Sequence, residues 1–344
     1  MSLPTPRWWY LRRGAPAPLA RALLRPASWL WAWATARRIA RGRLAEPGVP
    51  VICVGNLTVG GAGKTPVARE VLRRLAGAGV EAHALSRGHG GRLKGPVRVD
   101  PALHTAAEVG DEPLLLARDA PTWIARDRPA GARAAAQAGA AAVVMDDGHQ
   151  NPSLAKTLSL VVVDGETRDS EWPFGDGAVV PAGPMREPLK AGLARADAVV
   201  LLMPAGLEEP DSELLALMGD RPLLVARLRP ARPPPSGPQV GFAGVAKPWK
   251  VERALKAAGC DLKDFAALPD HARLDEGLLE ALRRRAAVFG AGLVTTEKDW
   301  VRLPAAWRDK VSAWPVEVRF DEEAALDRLL VQALSSARQP MSRR

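Results

Sequence analysis

Cysteine is scarce: Cys53 and Cys260 are the only two in 344 residues. Two thiols cannot build a disulfide framework or a cysteine-rich zinc site, so a reducing compartment is the default. Long apolar runs are also lacking. The best, residues 26–36 (PASWLWAWATA), is far short of the ~18–20 residues a membrane span needs. Acid is missing from the first 45 residues, and the first carboxylate is Glu46. That stretch holds nine arginines (Arg7, Arg12, Arg13, Arg21, Arg25, Arg37, Arg38, Arg41 and Arg43), five of the eleven tryptophans, and the single tyrosine, Tyr10. The other 299 residues carry 39 bases against 38 acids, so nearly all of the net charge of +10 sits in this arm. A neutral body argues against a dedicated nucleic-acid binder, whose bases would spread over the folded domain. With 47% hydrophobic and 25% charged residues, the body is globular and long enough for two domains.

The arm, residues 1–45, has three readings. For a membrane span its apolar run is too short. A secretory signal is imitated by Arg12-Arg13 and the short run ending Ala34-Thr35-Ala36, but Arg37-Arg38 puts dense charge past the cleavage point. The adopted reading is an interfacial helix starting at Pro26. Trp29, Trp33, Ala36 and Ala40 recur at helical spacing, with Arg37, Arg38 and Arg41 supplying cations for anionic lipid.

From residue 46 the pattern alternates strand and helix. Strands are expected at 51–54, 80–85, 97–100, 141–145, 158–163, 198–202 and 223–228, with helices at 112–118 and 130–138 among others. Such alternation predicts a mostly parallel sheet covered on both faces. Residues 229–239 (RPARPPPSGPQ) hold five prolines and read as a stiff hinge. A second set follows over 240–344, with strands at 240–245, 293–296 and 316–320 and helices at 250–258, 276–289 and 322–337. The expected organisation is therefore an arm (1–45), a core (46–228), a hinge (229–239) and a smaller α/β lobe (240–344).

The most informative motif is TVGGAGKT, residues 58–65, between an apolar strand and a helix. Glycines let backbone N–H groups wrap phosphate oxygens, a lysine reaches the β- and γ-phosphates, and a hydroxyl serves Mg²⁺. Thr58, Gly60, Gly61, Ala62, Gly63, Lys64 and Thr65 are the candidate nucleotide cradle. The usual pattern places glycine where this chain has Thr58. Residues 140–150 (AAAVVMDDGHQ) end a small apolar strand in Asp146-Asp147, where such proteins place a carboxylate that manages Mg²⁺. Asp111, in GDEP, is either a helix cap or a base that takes a proton from a hydroxyl. Asp270-His271 is either a cap or a tuned imidazole. Arg87 and His89 lie in a glycine-rich loop (SRGHGG), and Arg186-Glu187 lies in FGDGAVVPAGPMREP; both segments can approach an anion.

In this order, VGNLTVGGAGKTP (54–66), SRGHGG (86–91), GDEP (110–113), DDGHQ (146–150), FGDGAVVPAGPMREP (174–188), FAGVAKP (242–248), DH (270–271) and TTEKD (295–299) resemble one family, the tetraacyldisaccharide 4'-kinases of Gram-negative lipid A biosynthesis. The resemblance spans residues 50–300. It implies a P-loop NTPase-like parallel-sheet core with a second, smaller α/β lobe and an N-terminal amphipathic helical arm. It implies ATP- and Mg²⁺-dependent phosphorylation of the 4'-hydroxyl of tetraacyldisaccharide 1-phosphate, by a peripheral or monotopic enzyme on the cytoplasmic face of the inner membrane. Position by position it implies Lys64 on the phosphates, Asp111 as base, and His271 with Asp270 assisting. Thr65, Asp147, Gln150 and Glu187 become candidate metal ligands, and Arg87, His89, Arg186 and Asp146 candidate substrate contacts. Two departures stand out: His89 replaces a frequent aromatic, and Ala272 replaces a frequent second histidine. The alternative reading is a membrane-associated P-loop ATPase or GTPase switch without lipid kinase activity.

Overall fold

In a computed structural model, described for residues 6–12 and 18–336, thirteen strands form two sheets. They are β1 (Val51–Gly55), β2 (Ala82–Ser86), β3 (Val97–Arg98), β4 (Thr122–Ile124), β5 (Ala142–Asp146), β6 (Leu158–Asp164), β7 (Ala198–Met203), β8 (Leu223–Pro230), β9 (Gln239–Ala243), β10 (Leu262–Ala267), β11 (Gly292–Thr296), β12 (Val311–Trp314) and β13 (Val316–Phe320). The larger sheet runs β13-β8-β7-β6-β1-β5-β2-β4-β3 and is parallel except for its two edge strands. Its central strands are buried on both faces, as their unbroken Val/Leu/Ile runs require. The helix Lys64–Gly77 lays Val67, Val71, Leu72 and Leu75 on this sheet. Each such side chain contributes about 1.5–3 kcal/mol when fully buried.

The smaller sheet, β10-β9-β11-β12, is wholly parallel. The strand at Val316–Phe320 does not belong to it, contrary to the expected 240–344 lobe. It pairs antiparallel with β8 on the large sheet, and the helix Glu323–Ser336 packs Leu326, Leu330 and Ala333 into the core cluster. The smaller lobe is thus an excursion between two neighbouring core strands. The proline-rich segment is shorter than expected, because β8 continues through Pro230.

The arm's helix begins at Pro18 rather than Pro26 and runs to Ala40 with Pro26 inside. The helix-forming run Leu19–Leu24 extends it backward. Leu24, Ser28, Ala32, Thr35 and Ile39, at helical spacing, face the body. Ser28 Oγ donates to the Val179 carbonyl at 2.7 Å and accepts from the Ala182 amide at 3.0 Å. Leu19, Leu23, Trp29, Leu30, Trp31 and Trp33 point outward, each more than half exposed. The expected arm residues 1–5 and 13–17, Arg13 among them, lie outside the described residues.

Candidate active site

The chain leaves β1 at Gly55 and wraps through residues 56–63 before the helix Lys64–Gly77 begins. Gly60 and Gly63 have φ of +97° and +81°, a region glycine enters without steric cost. A Cβ on Gly63 would lie 2.2 Å from a Leu202 methyl. Gly63 offers no side-chain cap, so the helix's first N–H groups are left for an anion. The Thr58 departure has a structural reason. Thr58 is bridged antiparallel to Met185 and has no positive φ, so nothing at that position demands glycine.

Asp146 and Asp147 divide their work through the backbone. Asp147 takes the left-handed conformation (φ 53°), unusual outside glycine, which turns its side chain away from Asp146. Asp146 Oδ2 accepts the Thr65 hydroxyl at 3.0 Å, while its Oδ1 is buried without a partner. Burial pushes the Asp146 carboxyl up to about 6. Asp147 instead meets Arg186 at 2.6 and 3.2 Å and lies 3.6 Å from Lys64 Nζ. Burial would raise Asp147, but Lys64 and then Arg186 outweigh it and hold it below the usual carboxylate range. Burial lowers Lys64 despite both aspartates. Glu187, expected on the metal, has Arg195 on both oxygens at 2.7 Å and Gln150 Nε2 at 3.0 Å. Gln150 also donates to the Asn56 carbonyl at 2.9 Å. Asp146, expected on the substrate, is thus the carboxylate beside Thr65, and Gln150 and Glu187 brace the loop's far wall.

The second half of the site joins the two lobes. Gly110 (φ 92°, ψ 162°) precedes the helix Asp111–Leu116, and a Cβ there would fall 2.5 Å from the His89 carbonyl. Asp111, 3% exposed, faces the smaller lobe: its Oδ2 lies 3.0 Å from His271 Nδ1, 3.8 Å from Lys298 Nζ and 4.0 Å from Arg302 Nε. Burial acts to raise Asp111, but bonds from Glu112 and His271 and the Lys298 charge hold it below the carboxylate range. The Asp111 bond raises His271, opposed by burial and Lys298. His271 is itself left-handed (φ 55°) and anchored by its amide on the Gly244 carbonyl at 3.1 Å. Asp270 Oδ1 stands 3.7 Å from His271 Nε2.

Donor atoms of Asp111, Glu112 and His271 lie within 4.8 Å of one another, the dimensions of a cation site. The Lys298 ammonium is already there, 3.0 Å from Glu112 and 3.3 Å from His271 Nε2. Burial pushes Glu112 up to about 7 against Lys298. Lys298 lies within TTEKD, but its distance in chain from Asp111 hides the contact, and Arg302 lies beyond the motif. His89 lies edge-on to His271, ring centroids 6.0 Å apart, while Arg87 is exposed nearby. Glu297 ties the lobes further through Arg69 (2.8 Å) and Arg118 (3.1 Å).

The profile of the family described as LpxK, tetraacyldisaccharide-1-P 4'-kinase, matches residues 20–335. A tetraacyldisaccharide 4'-kinase from Caulobacter vibrioides (strain NA1000 / CB15N) is 68% identical over 330 residues, 96% of this chain and 98% of the relative. One from Phenylobacterium zucineum is 66% identical over 327 residues, 95% and 98% of the two chains. Among solved structures, "apo" form LpxK from Aquifex aeolicus in complex with ATP superposes with TM-score 0.71 and 24% identity, over 92% of this chain and all of that one. That likeness supports the fold: a P-loop core with a smaller α/β lobe. The nucleotide-switch alternative gains nothing from these comparisons. A glycine-bent loop at a helix N-terminus and an interlobe Asp–His pair, with family likeness over nearly the whole length, lead to one conclusion: the chain belongs to the tetraacyldisaccharide-1-P 4'-kinase family.

Proposed function

We propose that this kinase uses ATP to phosphorylate the 4'-hydroxyl of tetraacyldisaccharide 1-phosphate at the cytoplasmic face of the inner membrane. The observation that carries the residue roles is that the helix opening with Lys64 and Thr65 packs against the helix opening with Asp111, while His271 of the other lobe holds Asp111 at 3.0 Å. The backbone of 60–63 and Lys64 would hold the β- and γ-phosphates. Arg186, now on Asp147, is a second cation for the same charge. The residues fit a divalent cation, because the orphaned Asp146 Oδ1 and the Thr65 hydroxyl are adjacent. Mg²⁺ there would neutralise phosphate charge that grows during transfer. Asp111 takes the acceptor proton, and His271 orients it. Contact between the lobes keeps water from the transferred group.

The direct test follows radiolabel from the γ-phosphate of ATP. It should move to the disaccharide acceptor in detergent micelles; release to free phosphate alone would sink the reading.

For the membrane, the support is the outward apolar face of the arm together with exposed Arg25, Arg37, Arg38, Arg41 and Arg43. Among the described residues no helix is long and apolar enough to cross a bilayer. Arg12 and Arg21 are spent on the body, at 3.1 Å from Asp211 and 2.6 Å from Asp176. Replacing Trp29, Leu30, Trp31 and Trp33 together with serine should lower vesicle binding by tenfold or more in cosedimentation, given ~25 cal/mol for each Å² of apolar surface withdrawn from water. Binding of the parent protein should be stronger on anionic vesicles and weaken with salt. Equal binding by the fourfold variant would remove this helix from the membrane contact.

A further inference from the structure

Tyr10 has no place in the chemistry above, yet it is buried at 4% exposure against the phosphate loop. Its hydroxyl donates to the Val59 carbonyl. The Val59 amide donates in turn to the Pro184 carbonyl at 2.8 Å. Both backbone groups of the residue just before the glycine bend are therefore held, each by a different distant segment. The same hydroxyl would sit 2.8 Å from a Cβ on Gly60, and Ala246 Cβ of the smaller lobe 3.4 Å from that point. The ring packs under Lys247, Nζ 4.4 Å from its centroid, and Lys247 reaches Asp164 at 3.0 Å and Glu171 at 3.4 Å.

The ring's place does not depend on its hydroxyl. The Trp172 amide donates to the Tyr10 carbonyl at 2.6 Å, and the Arg12 amide donates to the Ser170 carbonyl at 2.8 Å. The Arg12 guanidinium stacks 4.1 Å over Trp172. Residues 10–12 form a short strap along residues 170–172. Burial pushes the phenol up to about 12, so the hydroxyl stays a donor at any physiological pH.

We propose that Tyr10 is a positioning residue for nucleotide: the arm's strap, through one hydroxyl, sets the pitch of the phosphate loop and with it the affinity for ATP. The proposal rests on the reading that this loop takes ATP. The backbone N–H groups of 60–63 serve phosphate only in one arrangement, and the carbonyl of Val59 fixes the peptide plane where that arrangement begins. Without the hydroxyl, the Val59 carbonyl is free to rotate, and nucleotide must order the loop on binding.

The experiment compares the full-length protein with Tyr10→Phe and Lys64→Ala. Nucleotide affinity is read by titrating a fluorescent ATP analogue without lipid, beside the KM for each substrate and Tm. Tyr10→Phe should weaken nucleotide binding and raise the ATP KM by about 3- to 10-fold, the worth of one neutral hydrogen bond. The lipid KM and vesicle binding should stay within about twofold, and Tm should be nearly unchanged because the ring remains. If Lys64→Ala weakens binding and Tyr10→Phe does not, the strap inference fails while the nucleotide site stands. If Tyr10→Phe shifts ATP and lipid constants together, the residue acts only as packing and the inference also fails. If Lys64→Ala leaves the nucleotide Kd unchanged, the loop is not the nucleotide site and both readings fall.

Discussion

Asp111→Ala should lower kcat on the lipid acceptor by about 10²- to 10⁴-fold, the span a positioned general base contributes. The acceptor hydroxyl is a poor nucleophile until its proton has somewhere to go. Asp111 is buried at 3% exposure and keeps its charge through His271 at 3.0 Å and Lys298 at 3.8 Å. The ATP KM should change little, since the described contacts of Asp111 run to His271, Lys298 and Arg302 rather than to Lys64 or Thr65. Asp111→Asn gives a second readout. The bond to Asp111 is the main cause that raises His271 above its ordinary value. Losing it should let the imidazole deprotonate at lower pH, visible in an NMR titration of the ring. Near-normal turnover by Asp111→Ala would assign the base elsewhere; an unmoved His271 in Asp111→Asn would dissolve the pair.

Lys64→Ala comes next in size, with an expected loss of about 10²- to 10³-fold in kcat/KM, comparable to removing one preorganised donor from a developing anion. The lysine is 12% exposed at its side chain and already desolvated, so its charge acts at short range with little water between. Removing it also leaves Asp147 held chiefly by Arg186. The expected signature is weaker nucleotide binding together with a lower kcat, because in the proposed role the lysine would meet the same phosphates before and during transfer. A variant with wild-type kcat and a raised ATP KM alone would restrict Lys64 to ground-state binding.

Much of the core was legible because its signals are local. β1, the glycine bend and the helix after it are contiguous, and so is the apolar strand that ends in Asp146-Asp147. Three things escaped for physical reasons. The strand Val316–Phe320 looks like any other, and its partner β8 is chosen by tertiary packing on the core. Adjacent aspartates are equivalent on paper; in the structure Asp147 turns left-handed, and one carboxylate meets Thr65 while the other meets Arg186. Lys298 and Arg302 gain meaning only from Asp111 opposite, far off in the chain. The arm's charge was visible at once, but Arg12 and Arg21 turned inward because Asp211, Glu213 and Asp176 wait for them.

The return of the chain to β13 changes what the smaller lobe is mechanically. A domain appended by one tether can swing in every direction. This one is fastened at both ends to strands that lie side by side, β8 and β13. Two anchors that close together act like the pins of a door: rotation about the line through them is soft, and sliding or twisting strains the sheet. Opening and closing would then carry His271 toward and away from Asp111 along nearly one arc, so each closure restores the same register between these two residues.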